Sequence, residues 1–302
     1  MSQTSMPAWT DRTVSRGDVD LAVVEAGDPS ATPVVLVHGW PDTHLLWTAV
    51  AARLVEDLRV VAYDTRGQGR SPTGASDTSF TLPHLAADLM AVLDDVSPDR
   101  PVHLVGHDWG SVQAWEAVCE PGADARIASF TSISGPNLDH VAAWMRDVVR
   151  HPSPRGVAEV IAQAVSSSYV PFLVSPLAPP VLRTAAGRDR WRLLVRLIEG
   201  QQPPAGSHAP SLGRDIVSGL RYYRANTLST TRSRERRTRV PVLQLALTRD
   251  PAIREASLRA SDRWCETLER RHLTLGHWAP LTSPDVVADE VLRFIRAAGS
   301  TS

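Results

Sequence analysis

An acid at the tip of a sharp strand-to-helix turn can attack carbon, and residues 102–111 carry the pattern that builds such a turn. Val102-His103-Leu104-Val105 runs into Gly106-His107-Asp108-Trp109-Gly110-Ser111, with a helical pattern from Val112 onward. Small residues either side of the central one permit the strained elbow that exposes a nucleophile above a sheet. The exposed residue is aspartate rather than serine, so the chemistry it offers is attack on an electrophilic carbon to give an ester. The helix N-terminus beside it favours negative charge. Taken alone, the same aspartate could simply cap the helix that follows.

Three further segments complete a chemical set. His38-Gly39-Trp40-Pro41 follows an apolar run, where the backbone N–H of Trp40 can join that of Trp109 to hold an oxyanion. Asp250 lies three residues after Leu247, at the end of a second apolar run, where an acid can orient a base. Gly276-His277-Trp278 precedes the last helical pattern and supplies the base. Each has a plainer reading as a turn or packing residue. The chain order of nucleophile, acid and histidine, each at a strand end, is the order of an Asp108–Asp250–His277 triad.

The elements that must position these residues follow from hydrophobic spacing. Strands are expected at Leu21–Glu25, Val34–Val37, Val60–Tyr63, Val102–Val105 and Ile127–Ile133, with helical spacing between them at Leu85, Leu89 and Val92. Continuous apolar strands alternating with helices predict a mostly parallel sheet covered by helices on both faces. From Asn137 to about Arg232 the β-rich runs cease. The strand pattern resumes at Val240–Leu247 and His272–Leu275, and a last helix starts at Ser283-Pro284 with Val287, Val291 and Phe294 on one face. The expected organisation is an α/β core in two parts, 1–136 and 233–302, interrupted by a helical cap over 137–232. The tract Ser233–Arg239 reads as a solvated return into the core.

Composition excludes several classes. The 302 residues are 43% apolar and 22% charged, which is ordinary globular usage. Thirty-three acids nearly balance 32 bases, all of them arginine, so no overall excess draws the chain to nucleic acid or an anionic membrane. Cys119 and Cys265 are too few for a disulfide scaffold and lack metal-ligand spacing, and no metal or organic cofactor is expected. The start of the chain has no secretory pattern, and a cytoplasmic protein is expected. The uncharged run Val160–Leu182 holds four serines and four prolines, so it reads as an apolar surface inside the protein rather than a span. A homodimer is compatible with the sequence, which leaves the oligomeric state open.

These motifs resemble the α/β-hydrolase superfamily and, within it, the epoxide hydrolases. The resemblance covers nearly the whole chain and rests on His38-Gly39-Trp40-Pro41, on Asp64-Thr65-Arg66-Gly67-Gln68-Gly69-Arg70-Ser71, on the elbow and on Gly276-His277-Trp278. The first 140 residues look especially like the hydrolase half of actinobacterial proteins that carry a short-chain dehydrogenase behind it. With the chain ending near residue 302, that second half is expected to be absent. The resemblance implies two lid tyrosines that stabilise the oxygen leaving an opened epoxide. Tyr223, in Tyr222-Tyr223-Arg224-Ala225-Asn226, resembles the second, with Tyr222 as the alternative; Tyr169, seven residues before Pro176, matches the first.

The resulting expectation is hydrolysis of a small apolar epoxide by water to a vicinal diol. Asp108 would form an alkyl ester, and His277, oriented by Asp250, would activate the water that cleaves it. Trp40, Trp109, Trp278 and His38 are expected at the substrate pocket, with His38 and His107 structural in role. Asp64 and Arg66 are expected to pair and fix their loop. A haloalkane dehalogenase would share the nucleophile and base, with the Trp40 indole as a substitute halide donor. A binding or tailoring protein of the same fold is the non-enzymatic alternative.

Overall fold

The computed structural model describes residues 7–74, 76–185, 187–227 and 236–299. Its centre is an eight-stranded sheet in the order β1-β2-β4-β3-β5-β6-β7-β8. The strands are β1 (Thr10–Arg16), β2 (Val19–Ala26), β3 (Thr32–Val37), β4 (Leu58–Tyr63), β5 (Val102–His107), β6 (Ile127–Ile133), β7 (Val242–Leu247) and β8 (Leu268–Leu273). β2 runs antiparallel to both β1 and β4, and every other pairing is parallel.

Both faces of the central strands are buried, and alternation divides them. Val34 and Leu36 of β3 pack with Val60 and Ala62 of β4 beneath α1 (Thr48–Leu54). Val35, Val37, Val61 and Tyr63 point the other way, against α2 (Leu82–Val96) and α3 (Trp109–Val118). Between β6 and β7 lie α4 (Leu138–Arg150), α5 (Pro154–Ser166), α6 (Val170–Val174), α7 (Ala178–Ala185), α8 (Arg188–Glu199), α9 (Leu212–Ser218) and α10 (Leu220–Thr227). The chain closes with α11 (Glu255–Arg259), α12 (Ala279–Thr282) and α13 (Pro284–Gly299), whose Val287, Val291 and Phe294 join the α1 side of the core.

Several expectations need correction. β1 is absent from the sequence reading because Val14 is its one buried side chain. The last strand lies at Leu268–Leu273 rather than His272–Leu275. Its sequence, LERRHL, hides the pattern because Arg270 pairs with Asp262 and Arg271 with Glu290 at the sheet edge. Asp64 and Arg66 do not pair: Asp64 accepts from the backbone and ring of His44 and from the N–H of Arg70, whereas Arg66 grips Asp88 and Asp18. In the tract Ser233–Arg239, residues 233–235 and the boundary at 232 lie outside the described residues. Arg236 turns inward instead of toward solvent, where it meets Glu116, Glu120 and Asp139. The uncharged run breaks into α5, α6 and α7, and Ile161, Val165, Leu177 and Val181 face outward. Among the described residues no helix is long and apolar enough to cross a membrane.

Candidate active site

β5 delivers Asp108 to its place. The residue has φ 52° and ψ −126°, a left-handed conformation that few non-glycine residues adopt. The glycines around it allow the turn. A Cβ on Gly106 would come within 2.6 Å of the Ser111 Cα, and one on Gly110 would collide with the carbonyl oxygens of Val37 and His38. The helix therefore packs directly onto the strand backbone, and the carboxylate projects from the first turn of α3.

Two N–H groups meet that carboxylate. The Trp40 N–H donates to Asp108 Oδ1 at 2.8 Å, and the Trp109 N–H also hydrogen-bonds the side chain. The other oxygen, Oδ2, lies 3.8 Å from His277 Nε2. On the far side of the ring, His277 Nδ1 is 3.0 Å from Asp250 Oδ2. Asp250 is itself held by the N–H groups of Ala252 and Ile253, 2.7 and 3.1 Å from its Oδ1. His107 donates from Nε2 to the His277 carbonyl at 2.8 Å, steadying the loop from below.

Charge follows from this packing. Burial disfavours the imidazolium of His277, but Asp250 and Asp108 outweigh it and raise its pKa to about 9. Burial raises the Asp108 pKa, against the opposing pull of His277 and the two N–H groups. Burial also disfavours the Asp250 anion, yet His277 prevails and holds that carboxyl below its ordinary value. His38 and His107 have no adjacent carboxylate of comparable strength, so burial drives them to about 4 and about 3, both neutral.

A cavity of about 350 Å³ opens in front of Asp108, lined by Trp109, Val112, Leu138, Met145, Tyr169 and Tyr223 among others. The rings of Tyr169 and Tyr223 are 6.4 Å apart and edge-on, and both residues wall the cavity. Tyr223 packs edge-on against Trp109 and Trp40, at 5.0 and 5.5 Å between ring centroids. Tyr222 points away from the cavity: its hydroxyl donates to the Arg66 carbonyl at 2.5 Å and meets Thr65 Oγ1 at 2.9 Å. Register thus sends Tyr223, and not its neighbour, to the face of Asp108.

Three residues expected at the pocket, His38, Trp40 and Trp278, do not line this cavity. His38 is fully buried behind it, accepting from the Thr65 N–H at 2.9 Å and donating to its neighbour's carbonyl at 2.8 Å. Trp278 lies on the other side of His277, packed edge-on against Trp191 and donating from Nε1 to Asp42 at 3.1 Å. Trp40 contributes its backbone N–H, while its indole donates to the Ile216 carbonyl at 2.9 Å.

Two buried acids near His277 escape sequence reasoning. Asp42 sits beneath Trp278, and burial pushes its pKa up to about 7. Glu199, at the end of α8, accepts the Trp278 N–H at 3.0 Å, and its carboxylate fills the space that a Cβ on Gly276 would need. Asp42 follows Pro41 directly and could have been suspected as part of that loop. Glu199 carries no local signal, because it ends an ordinary amphipathic helix.

Comparison with known proteins agrees with this architecture. The model of the alpha/beta hydrolase fold family matches residues 32–284. Probable oxidoreductase EphD of Mycobacterium tuberculosis is 37% identical over 284 residues, covering 91% of this chain and 48% of that protein. The chain thus spans about half the length of that relative. Epoxide hydrolase A of Mycobacterium tuberculosis is 29% identical over 325 residues, covering 96% of this chain and 98% of that protein. Among solved structures, Epoxide Hydrolase A from Mycobacterium thermoresistibile superposes with a TM-score of 0.72 at 24% identity, covering 96% of this chain and 98% of that one, a likeness of fold.

Proposed function

Because the chain belongs to the alpha/beta hydrolase fold family, we propose that it hydrolyses an apolar epoxide to a vicinal diol through an ester on Asp108. The observation that carries this reading is the placement of two tyrosine hydroxyls and one carboxylate on a single apolar cavity. An opening epoxide needs a nucleophile at carbon and donors at the departing oxygen, and the cavity offers both.

In the first step Asp108 Oδ2 bonds to an epoxide carbon as the ring C–O bond breaks. Tyr169 and Tyr223 hydrogen-bond the oxygen that gains charge; one of them gives it a proton, and that tyrosine is reprotonated by the proton His277 then releases. Alkylation removes the negative charge of Asp108, one of the carboxylates, with Asp250 and Glu199, that raise the His277 pKa to about 9 against burial. The imidazole then loses its proton more readily and becomes a base at the moment the ester needs water. In the second step His277, oriented by Asp250, takes a proton from water as the hydroxide attacks the Asp108 carboxyl carbon. The Trp40 and Trp109 N–H groups hold the oxyanion, the ester C–O bond breaks, and the diol leaves with the proton returned from His277.

The dehalogenase reading has less support. It would need indole N–H groups free to bind halide, but Trp40 Nε1 is committed to the Ile216 carbonyl. Incubating the purified protein in parallel with an aryl epoxide and a haloalkane, and following diol and halide, tests the assignment. Diol formation that disappears in Asp108→Ala is the expected result. Halide release without diol would overturn it.

A further inference from the structure

The helix α8 is apolar on two opposite faces. Trp191 and Val195 are buried against the core, whereas Leu193 and Leu197, half a turn away, are 53% and 73% exposed. Leu194 and Ile198 flank that outer stripe and are exposed as well. A single exposed leucine needs no explanation, but an i, i+4 apolar stripe on an outer helix face does. The feature belongs to the whole insertion. Among the described residues, thirteen large apolar side chains are exposed, and twelve of them lie between 149 and 198.

Charge is distributed in the same way. Residues 137–232 carry twelve arginines against six acids, while the rest of the chain carries twenty arginines against twenty-seven acids. The near-neutral total therefore conceals a basic insertion on an acidic core. On α8 itself Arg190 and Arg196 are exposed beside the leucines, with Asp189 the exposed acid of the helix and Glu199 buried.

From this coincidence of an outward apolar stripe with basic flanks, we propose that the outer face of α8 docks the protein on an anionic lipid surface. Apolar side chains flanked by arginine are what an interfacial helix presents, with the long basic stems reaching headgroups while leucine enters the acyl boundary. Anionic headgroups complement the local charge. A second copy of the chain would bring an equally basic face against it. The docking is independent of the chemistry assigned to Asp108, because none of these side chains lines its cavity.

The test is co-sedimentation of the full chain with vesicles of phosphatidylcholine, with or without phosphatidylglycerol. Wild type should pellet with the phosphatidylglycerol vesicles at low salt, and much less with phosphatidylcholine alone or at high salt. Arg190→Gln with Arg196→Gln should weaken binding roughly thirtyfold, and Leu193→Gln with Leu197→Gln roughly tenfold or more. Both variants should keep the wild-type circular dichroism spectrum and the wild-type rate on a soluble aryl epoxide. Wild type that fails to pellet at low salt, or variants that bind like wild type, would overturn the proposal. So would light scattering that shows a dimer dissolved by the leucine changes, which would assign the face to a second copy. Vesicle binding is read without turnover, so its outcome stands apart from that of the epoxide assay.

Discussion

The carboxylate of Glu199 accepts the main-chain N–H of Trp278 at 3.0 Å, so the last residue of α8 holds the residue that follows His277. The contact joins two segments 79 residues apart in sequence. It places a helix of the insertion in direct charge of the loop that carries the base. Burial raises the Glu199 pKa, and the Trp278 N–H and His277 oppose that rise.

Removing the acceptor leaves a buried N–H without a partner. Glu199→Ala should therefore lose about 1–3 kcal/mol of stability, whereas Glu199→Gln, which keeps a carbonyl oxygen there, should lose less. Urea unfolding of the two variants checks this. Equal loss in both would mean that charge, and not the hydrogen bond, is what the contact supplies.

Replacing Asp108 by asparagine mimics the uncharged state of the alkylated enzyme. His277 has its pKa raised to about 9 by Asp250 and Asp108, with burial opposing them, so Asp108→Asn should lower it. A pKa raised above its ordinary value of 6.5 contributes stability that is present below 6.5 and lost as pH climbs through 9. In Asp108→Asn that loss should still begin near 6.5 but be complete at lower pH and be smaller. Imidazole NMR titration of both proteins reads the shift directly, and an unchanged midpoint would remove the proposed link between alkylation and base activation.

His277→Gln should leave ring opening possible while slowing ester hydrolysis by about 10²–10⁴-fold. An adduct on Asp108 should then accumulate to near one equivalent. Intact-protein mass spectrometry after incubation with an aryl epoxide shows it, and a clean unmodified mass would count against the two-step scheme.

The tyrosines act as the epoxide oxygen gains charge, so their loss should be felt in the transition state. Removing one such donor costs roughly 2.7–4 kcal/mol, less where the second hydroxyl compensates. The double change Tyr169→Phe with Tyr223→Phe should abolish single-turnover alkylation with circular dichroism unaltered. Tyr222→Phe should spare the chemistry, because that hydroxyl is spent on Arg66 and Thr65. Alkylation at the wild-type rate in the double variant would reduce both residues to packing.

What could be read from sequence were features that one element expresses by itself. Glycine either side of Asp108 is demanded by the close approach of α3 to β5 at Gly106 and to the end of β3 at Gly110, and that demand leaves a local trace. Strands buried on both faces announce themselves as continuous apolar runs, which is why β3 to β7 were legible whereas β1 and β8, exposed or laced with ion pairs, were not. The order of Asp108, Asp250 and His277 along the chain is likewise linear information. Which side chains meet was decided by packing between elements distant in sequence. The rotation of α10 sends Tyr223 to the cavity and Tyr222 to Arg66. Partners for Asp64 and Arg66 came from His44 and Asp88, and His38 and Trp278 were drawn behind the cavity by hydrogen bonds to Thr65 and Asp42. Whether an apolar run faces the core or solvent depends on how many of its faces neighbours can cover. α8 has two apolar faces and the core covers one, so only the tertiary structure could show the other turned outward.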